Sequence, residues 1–210
     1  MRKLLVVFVV LAILVAFGDS VLRGFAERRV AAKLKGTLEL SHTPTVEIGG
    51  WPFGVRVLAQ SFPSVEISRR DVAIEGLTVT SFNLRLRDVE YSASELLAGD
   101  AQSIDIASGR GSIRLTSELI SERLGAQDLP FEFSIDGDQA TMSSPELGAE
   151  VSAEIALADH SLTIAPPGLD TISIPLPQVA DEVEYRSVRI SGQAVVATFG
   201  LRRGRIDLTQ

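Results

Sequence analysis

The sequence predicts a β-rich α+β fold. Three observations carry this. An N-terminal segment runs from wholly apolar to amphipathic with a period near 3.6 residues. After Thr43 the apolar period changes to two and persists almost to the end of the chain. The solid apolar runs separated by helices that a parallel doubly wound sheet needs are missing.

The first element is Arg2-Lys3 followed by fourteen consecutive apolar residues, Leu4 to Phe17. As a helix this run is about 21 Å long, short against a hydrocarbon core of roughly 30 Å. It reads as a signal-peptide core, with Ala16 and Gly18 as small residues around a cleavage point after Gly18. The competing reading is an uncleaved transmembrane anchor completed by Gly18 to Val21. Residues 1–18 are therefore a leader or anchor, and residues 19–210 a single domain. The flank after the apolar run is the more basic one, which taken alone places the body in the cytoplasm. The short apolar core behind two charges at the N-terminus outweighs this and favours export.

The second element is an amphipathic helix from Asp19 to Leu38. Leu22, Phe25, Ala26, Val30 and Leu34 form an apolar stripe expected to pack on the body, and Gly36 is a stop signal. Arg23, Arg28, Arg29, Lys33 and Lys35 occupy other faces, where contact with lipid headgroups is the functional reading.

Strands follow. Val46/Ile48, Val65/Ile67, Val72/Ile74, Leu77/Val79, Phe82/Leu84/Leu86 and Val89/Tyr91 alternate with polar residues. So do Ile104/Ile106, Ile113/Leu115, Phe131/Phe133/Ile135, Val151 to Leu157, Leu162/Ile164, Ile172/Ile174, Val188/Ile190, Ala194 to Phe199 and Ile206/Leu208. Such alternation gives each sheet one buried and one wet face, as antiparallel sheets have. Parity slips across Arg87-Asp88, which predicts a bulge and a bent sheet. Hairpin turns are expected at Asp136-Gly137, Ala158 to His160, Ser191-Gly192 and Arg202 to Arg205. One further helix is expected over 117–124, with Gly125 at its C′ position.

Composition excludes several chemistries. The chain has 210 residues, 45% of them apolar, enough to bury a core. It has no cysteine, so disulfides, thiolate metal sites and a thiol nucleophile are ruled out, and its two histidines leave little for a metal cluster. His42 and His160 both lie beside turns. Asp136 and Asp138 lack the further ligands of a calcium loop. No G-x-S-x-G elbow and no P-loop occur, and Gly109-Arg110-Gly111 fails as a dinucleotide fingerprint because Arg114 holds the third glycine's place. No catalytic residue, metal ligand or cofactor is assigned. The net charge of −7 divides into +5 over residues 1–35 and −12 over the remainder. The acidic body argues against nucleic acid, and the basic N-terminus suits an anionic membrane surface.

Gly49-Gly50-Trp51-Pro52-Phe53-Gly54 is the most unusual local pattern. Two readings stand: a corner that plugs the core, or Trp51 and Phe53 at a lipid interface. Arg69-Arg70 likewise reads as a solvated turn or a headgroup contact. Arg85 and Arg87 alternate with Leu84 and Leu86 and face water.

In order, the chain shows an apolar N-terminus, a basic amphipathic helix, and Pro44-Thr45-Val46-Glu47-Ile48-Gly49-Gly50-Trp51-Pro52-Phe53. Then come Val65-Glu66-Ile67, Asp71-Val72, the strand from Phe82 to Val89 and the step from Gly111 to Leu124. This order resembles the LmeA-like phospholipid-binding family of actinobacterial envelopes, with Trp51 where phenylalanine is commoner. The resemblance implies a curved antiparallel sheet wrapping a long N-terminal helix, similar to the tubular lipid-binding folds. It implies an exported, membrane-associated protein on the extracytoplasmic side that binds anionic phospholipid in an apolar groove and supports envelope lipid or lipoglycan metabolism. The expected lipid or membrane contacts are Leu22, Phe25, Arg28, Arg29, Val30, Trp51, Phe53, Arg69 and Arg70. The alternatives are an anchored scaffold that docks envelope proteins and, least favoured, an enzyme.

Overall fold

A computed structural model of the chain describes residues 2–37, 43–74, 77–92, 103–126, 129, 131–144, 148–168, 170–177 and 183–207. His42 and Leu208 lie outside the described residues. Among the described residues strands dominate, and the helices are α1 (Arg2–Thr37), α2 (Phe53–Leu58) and α3 (Ser117–Gly125). The strands are β1 (Thr45–Ile48), β2 (Ser61–Ile74), β3 (Leu77–Tyr91), β4 (Ser103–Thr116), β5 (Glu132–Asp136), β6 (Gln139–Ser144), β7 (Ala149–Ala158), β8 (Ser161–Ala165), β9 (Ile172–Pro175), β10 (Val183–Ile190), β11 (Ala194–Leu201) and β12 (Gly204–Asp207). They form two sheets. One has the order β1-β2-β3-β4-β11-β10, with β12 also pairing β4; the other has the order β5-β6-β7-β8-β9. The pairings β12·β4, β10·β11 and all those of the second sheet are antiparallel.

The chain divides into two compact units. The first comprises Met1–Ile67, Arg85–Gly109 and Arg203–Gln210; the second comprises Ser68–Leu84 and Arg110–Arg202. In the first, α1 packs on β1 and α2. Its core holds Val46, Ile48, Phe53, Phe62, Val65, Leu86, Val89 and Ile106. In the second, α3 packs on β5, burying Ile120 and Leu124 against 1% and 0% exposure. The Ser121 hydroxyl donates to the Phe133 carbonyl at 3.1 Å and accepts from the Phe133 amide at 2.8 Å, which pins α3 to β5.

The strand pattern holds where turn chemistry is strong. Asp136 pairs with Gln139, Ala158 with Ser161 and Ile190 with Val195. Gly137, Asp159 and Gly192 adopt positive φ in the three loops, as tight hairpins require. At the expected bulge, Arg87 and Asp88 are both exposed in succession and Asp88 has φ +47°. Arg85 and Arg87 face solvent, and Arg85 meets Glu66 at 3.5 Å.

Two expectations change, those for Arg69-Arg70 and for Gly125. Arg69-Arg70 is not a turn: both lie inside the fourteen-residue β2, which passes Asp71 at φ +48° without ending. Short side chains such as aspartate enter that region at the least cost. Gly109-Arg110-Gly111 lies within β4, where a Cβ on Gly111 would run into the Phe199 ring and the Asn83 carbonyl. Gly125 is not a left-handed C′ residue; α3 includes it and ends at Ala126 in the right-handed region. Among the described residues no helix is long and apolar enough to cross a membrane.

Candidate functional site

The first unit joins α1 to the glycine-rich corner by polar contacts. Asp19, Arg23, Glu27 and Ala31 recur every four residues and so share one helix face. Asp19 is 7% exposed; its Oδ1 accepts the Gly54 amide at 3.0 Å, and its Oδ2 lies 3.6 Å from Arg23. Arg23 Nη2 donates to the Gly50 carbonyl at 2.8 Å, and its guanidinium sits 5.8 Å from the centroid of the Phe53 ring. Glu27 Oε1 accepts the Ile48 amide at 2.9 Å, and Ala31 is buried. Gly50 adopts φ +113°, and a Cβ there would meet the Pro63 ring, so the corner needs glycine at that position.

This overturns the expected packing stripe. Leu22 and Phe25 are exposed rather than packed, Ala26, Val30 and Leu34 are half-buried like Arg23 and Glu27, and Asp19 and Ala31 are the buried residues of the face that meets the corner. The corner's two aromatics separate. Phe53 is 2% exposed and stacks on Phe62 at 5.3 Å, which stacks on Tyr91 at 5.3 Å. Trp51 is 69% exposed. Burial raises the Tyr91 phenol above its ordinary range, and its hydroxyl donates to the Val57 carbonyl at 3.1 Å.

The short helix α2 breaks the local pattern. Gly54 and the β-branched Val55 and Val57 favour other conformations, so the sequence does not announce a helix there. Its formation places Trp51, Val55 and Leu58 at helical spacing, and all three are exposed. Val21, Leu22 and Phe25 of α1 are exposed as well. These six are all of the exposed large apolar side chains among the described residues. The Asp19–Gly54 bond ties the first turn of α2 to the turn of α1 that carries Val21 and Leu22. One turn further on, Arg29 lies 5.3 Å from the Phe25 ring centroid, and Arg28 Nε donates to the Gly24 carbonyl at 3.0 Å. Arg28, Arg29 and Lys33 are exposed. The exposed apolar residues of α1 are thus followed along the helix by a basic collar of Arg28, Arg29 and Lys33.

Of the residues singled out by sequence, Leu22, Phe25, Arg28 and Arg29 are exposed on α1, and Trp51 is exposed just before α2. Phe53 is buried, and Val30 is half-buried on α1. Arg69 and Arg70 sit on β2 in the second unit. Val21, Val55 and Leu58 went unsingled; Val21 showed itself only as the end of the apolar leader, and the other two depended on α2 forming. Among the described residues no group of His, Asp or Glu is arranged to hold a metal ion. Asp136, which ends β5, and the turn residues Asp138 and His160 are all exposed.

The second unit contains a concavity of about 450 Å³ lined by β6, β7 and β10 residues and the Asp138 turn, with no residue from α1. Elsewhere in this unit Glu118, in the first turn of α3, has its carboxyl held below the usual range. Its own backbone amide is the main cause and the Thr116 hydroxyl the second.

Together these features define a β-rich protein of antiparallel sheets that exposes apolar and basic side chains on α1 and apolar ones at the α2 corner. The sequence profile of the LmeA-like phospholipid-binding family matches residues 17–184. The chain belongs to that family, and phospholipid binding is the property that defines it. No curated protein and no solved structure matches the chain.

Proposed function

We propose that the protein binds phospholipid at a membrane surface, entering the interface with the α1–α2 surface. The observation that carries the reading is that all six exposed large apolar side chains lie on α1 or the Trp51-to-Leu58 corner. Exposed apolar groups gathered on one part of a domain need a partner. The basic collar of Arg28, Arg29 and Lys33 favours an anionic bilayer over a protein scaffold. Each cation near such a surface contributes about 1 kcal/mol. Trp51 has the amphipathic ring preferred at headgroup depth. The proposal keeps the curved sheet around the long helix, the groove for acyl chains, a body on the extracytoplasmic side and a part in envelope lipid or lipoglycan metabolism. It assigns no catalytic role.

The test is sedimentation of the full chain with vesicles of phosphatidylglycerol and phosphatidylcholine. Binding is expected to rise with the phosphatidylglycerol fraction and to fall about tenfold in Leu58→Asp, a change of roughly 1.4 kcal/mol. Binding that ignores both lipid charge and Leu58→Asp would sink the reading.

A further inference from the structure

The concavity of the second unit has a lining that the sheet alone does not explain. In β7, Ala153 and Ile155 alternate inward, and β8 carries Leu162 and Ile164 on the same sheet face, since Ile155 pairs with Ile164. Leu162 and Ile164 are 0% exposed, yet Val151, Ala153, Ile155 and Leu157 are all left half-buried. The apolar face is thus covered over β8 and incompletely covered over β7. Strand β10 shows the same incompleteness: Val188 and Ile190 are half-buried although Val195 and Ala197, their partners on β11, are buried. β10 packs against β7, so the two uncovered apolar rows meet at one cleft.

The width of the cleft has a local cause. Ala140 pairs with Ala153 across β6 and β7, and these small side chains stand where Leu or Ile would close the space. The volume of about 450 Å³ falls within the range of small-molecule sites. The margin is charged. Asp138, Glu154 and Arg189 also line the cleft, and all three are exposed. An apolar floor with two carboxylates and one guanidinium at the mouth complements one kind of molecule. An acyl chain covers Ile155, Val188 and Ile190. A zwitterionic headgroup then offers its phosphate to Arg189 and its ammonium to Asp138 and Glu154. A headgroup that is only anionic leaves both carboxylates opposed by like charge.

We propose that the β7–β10 cleft is an acyl-chain site for a single amine-bearing, zwitterionic phospholipid molecule. The site rests on the phospholipid-binding reading above but is separate from the membrane-facing helices. It concerns the molecule held, not the bilayer met.

The experiment titrates the full chain with dihexanoyl-phosphatidylethanolamine and dihexanoyl-phosphatidylglycerol as soluble monomers, with binding read by calorimetry. The ethanolamine lipid is expected to bind at least about tenfold more tightly. Ala153→Phe, which fills the cleft, is expected to abolish binding. Should that variant lose its folded circular-dichroism spectrum, Arg189→Glu and Glu154→Lys on the exposed mouth replace it, and each is expected to weaken ethanolamine-lipid binding several-fold. None of these changes is expected to alter vesicle sedimentation, and Leu58→Asp is expected to leave the titration unchanged. Equal affinity for the two lipids, or binding indifferent to the mouth variants, would overturn the site while leaving membrane docking intact. Loss of sedimentation in Leu58→Asp with normal titration, or the reverse, tells the two readings apart.

Discussion

Helices α1 and α3 attach themselves to strands by opposite means. Helix α3 follows the ordinary rule, with Ile120 and Leu124 fully buried and Glu118 and Glu122 outward. Along the described side chains of α1, Asp19 and Ala31 are buried while Val21, Leu22 and Phe25 face out at 70%, 55% and 59% exposure. Area burial holds α3; bonds to backbone groups hold α1. The contrast teaches that an apolar stripe on a helix specifies that something apolar covers it, not that the same chain does so. Where the chain supplies enough polar contacts to seat the helix by its other face, the stripe remains available for lipid.

The largest expected effect breaks the α3 side of the contrast. Leu124→Ala removes a fully buried side chain and is expected to cost about 2–5 kcal/mol, measured by urea unfolding. Next is the α1 joint. Asp19→Ala strands the Gly54 amide and removes the ion-pair partner of Arg23, and a loss of about 1–3 kcal/mol is expected in the same assay. If α1 were seated by its apolar stripe, this change would be nearly silent. In contrast, Leu22→Asp and Phe25→Asp are expected to shift stability by no more than about 0.5 kcal/mol while weakening vesicle sedimentation. A large stability loss there would show that the stripe is covered by the protein itself. Smaller still, Arg28→Glu with Arg29→Glu is expected to reduce sedimentation several-fold at low salt, with the difference shrinking as ionic strength rises.

Titration gives a last, modest contrast. Because the Glu118 carboxyl is lowered in the folded state, its contribution is present above the ordinary glutamate value. It is lost as pH falls through the depressed folded value. Tyr91 is raised, so its contribution is present below the ordinary tyrosine value and is lost as pH rises toward and through the raised one. Unfolding followed across both ranges in Glu118→Gln and Tyr91→Phe checks the two signs.

The strands were legible because period two survives single substitutions, and the hairpins because Gly137, Asp159 and Gly192 sit where positive φ is needed. Helix α3 was legible from its apolar spacing. What escaped has physical reasons. β2 reads as two strands because Arg69-Arg70 looks like a solvated turn, although the strand runs on through Asp71 at positive φ. β6 hides because its buried residues, Ala140, Met142 and Ser144, are small, flexible or polar rather than β-branched. Helix α2 is held by its surroundings, not by propensity. Half of the candidate surface was legible for the same reasons: Leu22, Phe25 and Trp51 are conspicuous alone, whereas Val55 and Leu58 acquire meaning only once a helix turns them outward. The polar seat of α1 could not be read at all, since its partners are the amides of Ile48 and Gly54 and the carbonyl of Gly50.

That choice of partners separates two kinds of freedom. Asp19, Arg23 and Glu27 grip main-chain atoms, which every residue possesses. The side chains projecting from the corner at Trp51, Val55 and Leu58 are not part of the grip. They are interchangeable fittings on a fixed mount, so the exposed apolar side chains can be retuned one position at a time, in evolution or by design, without loosening the joint that presents them.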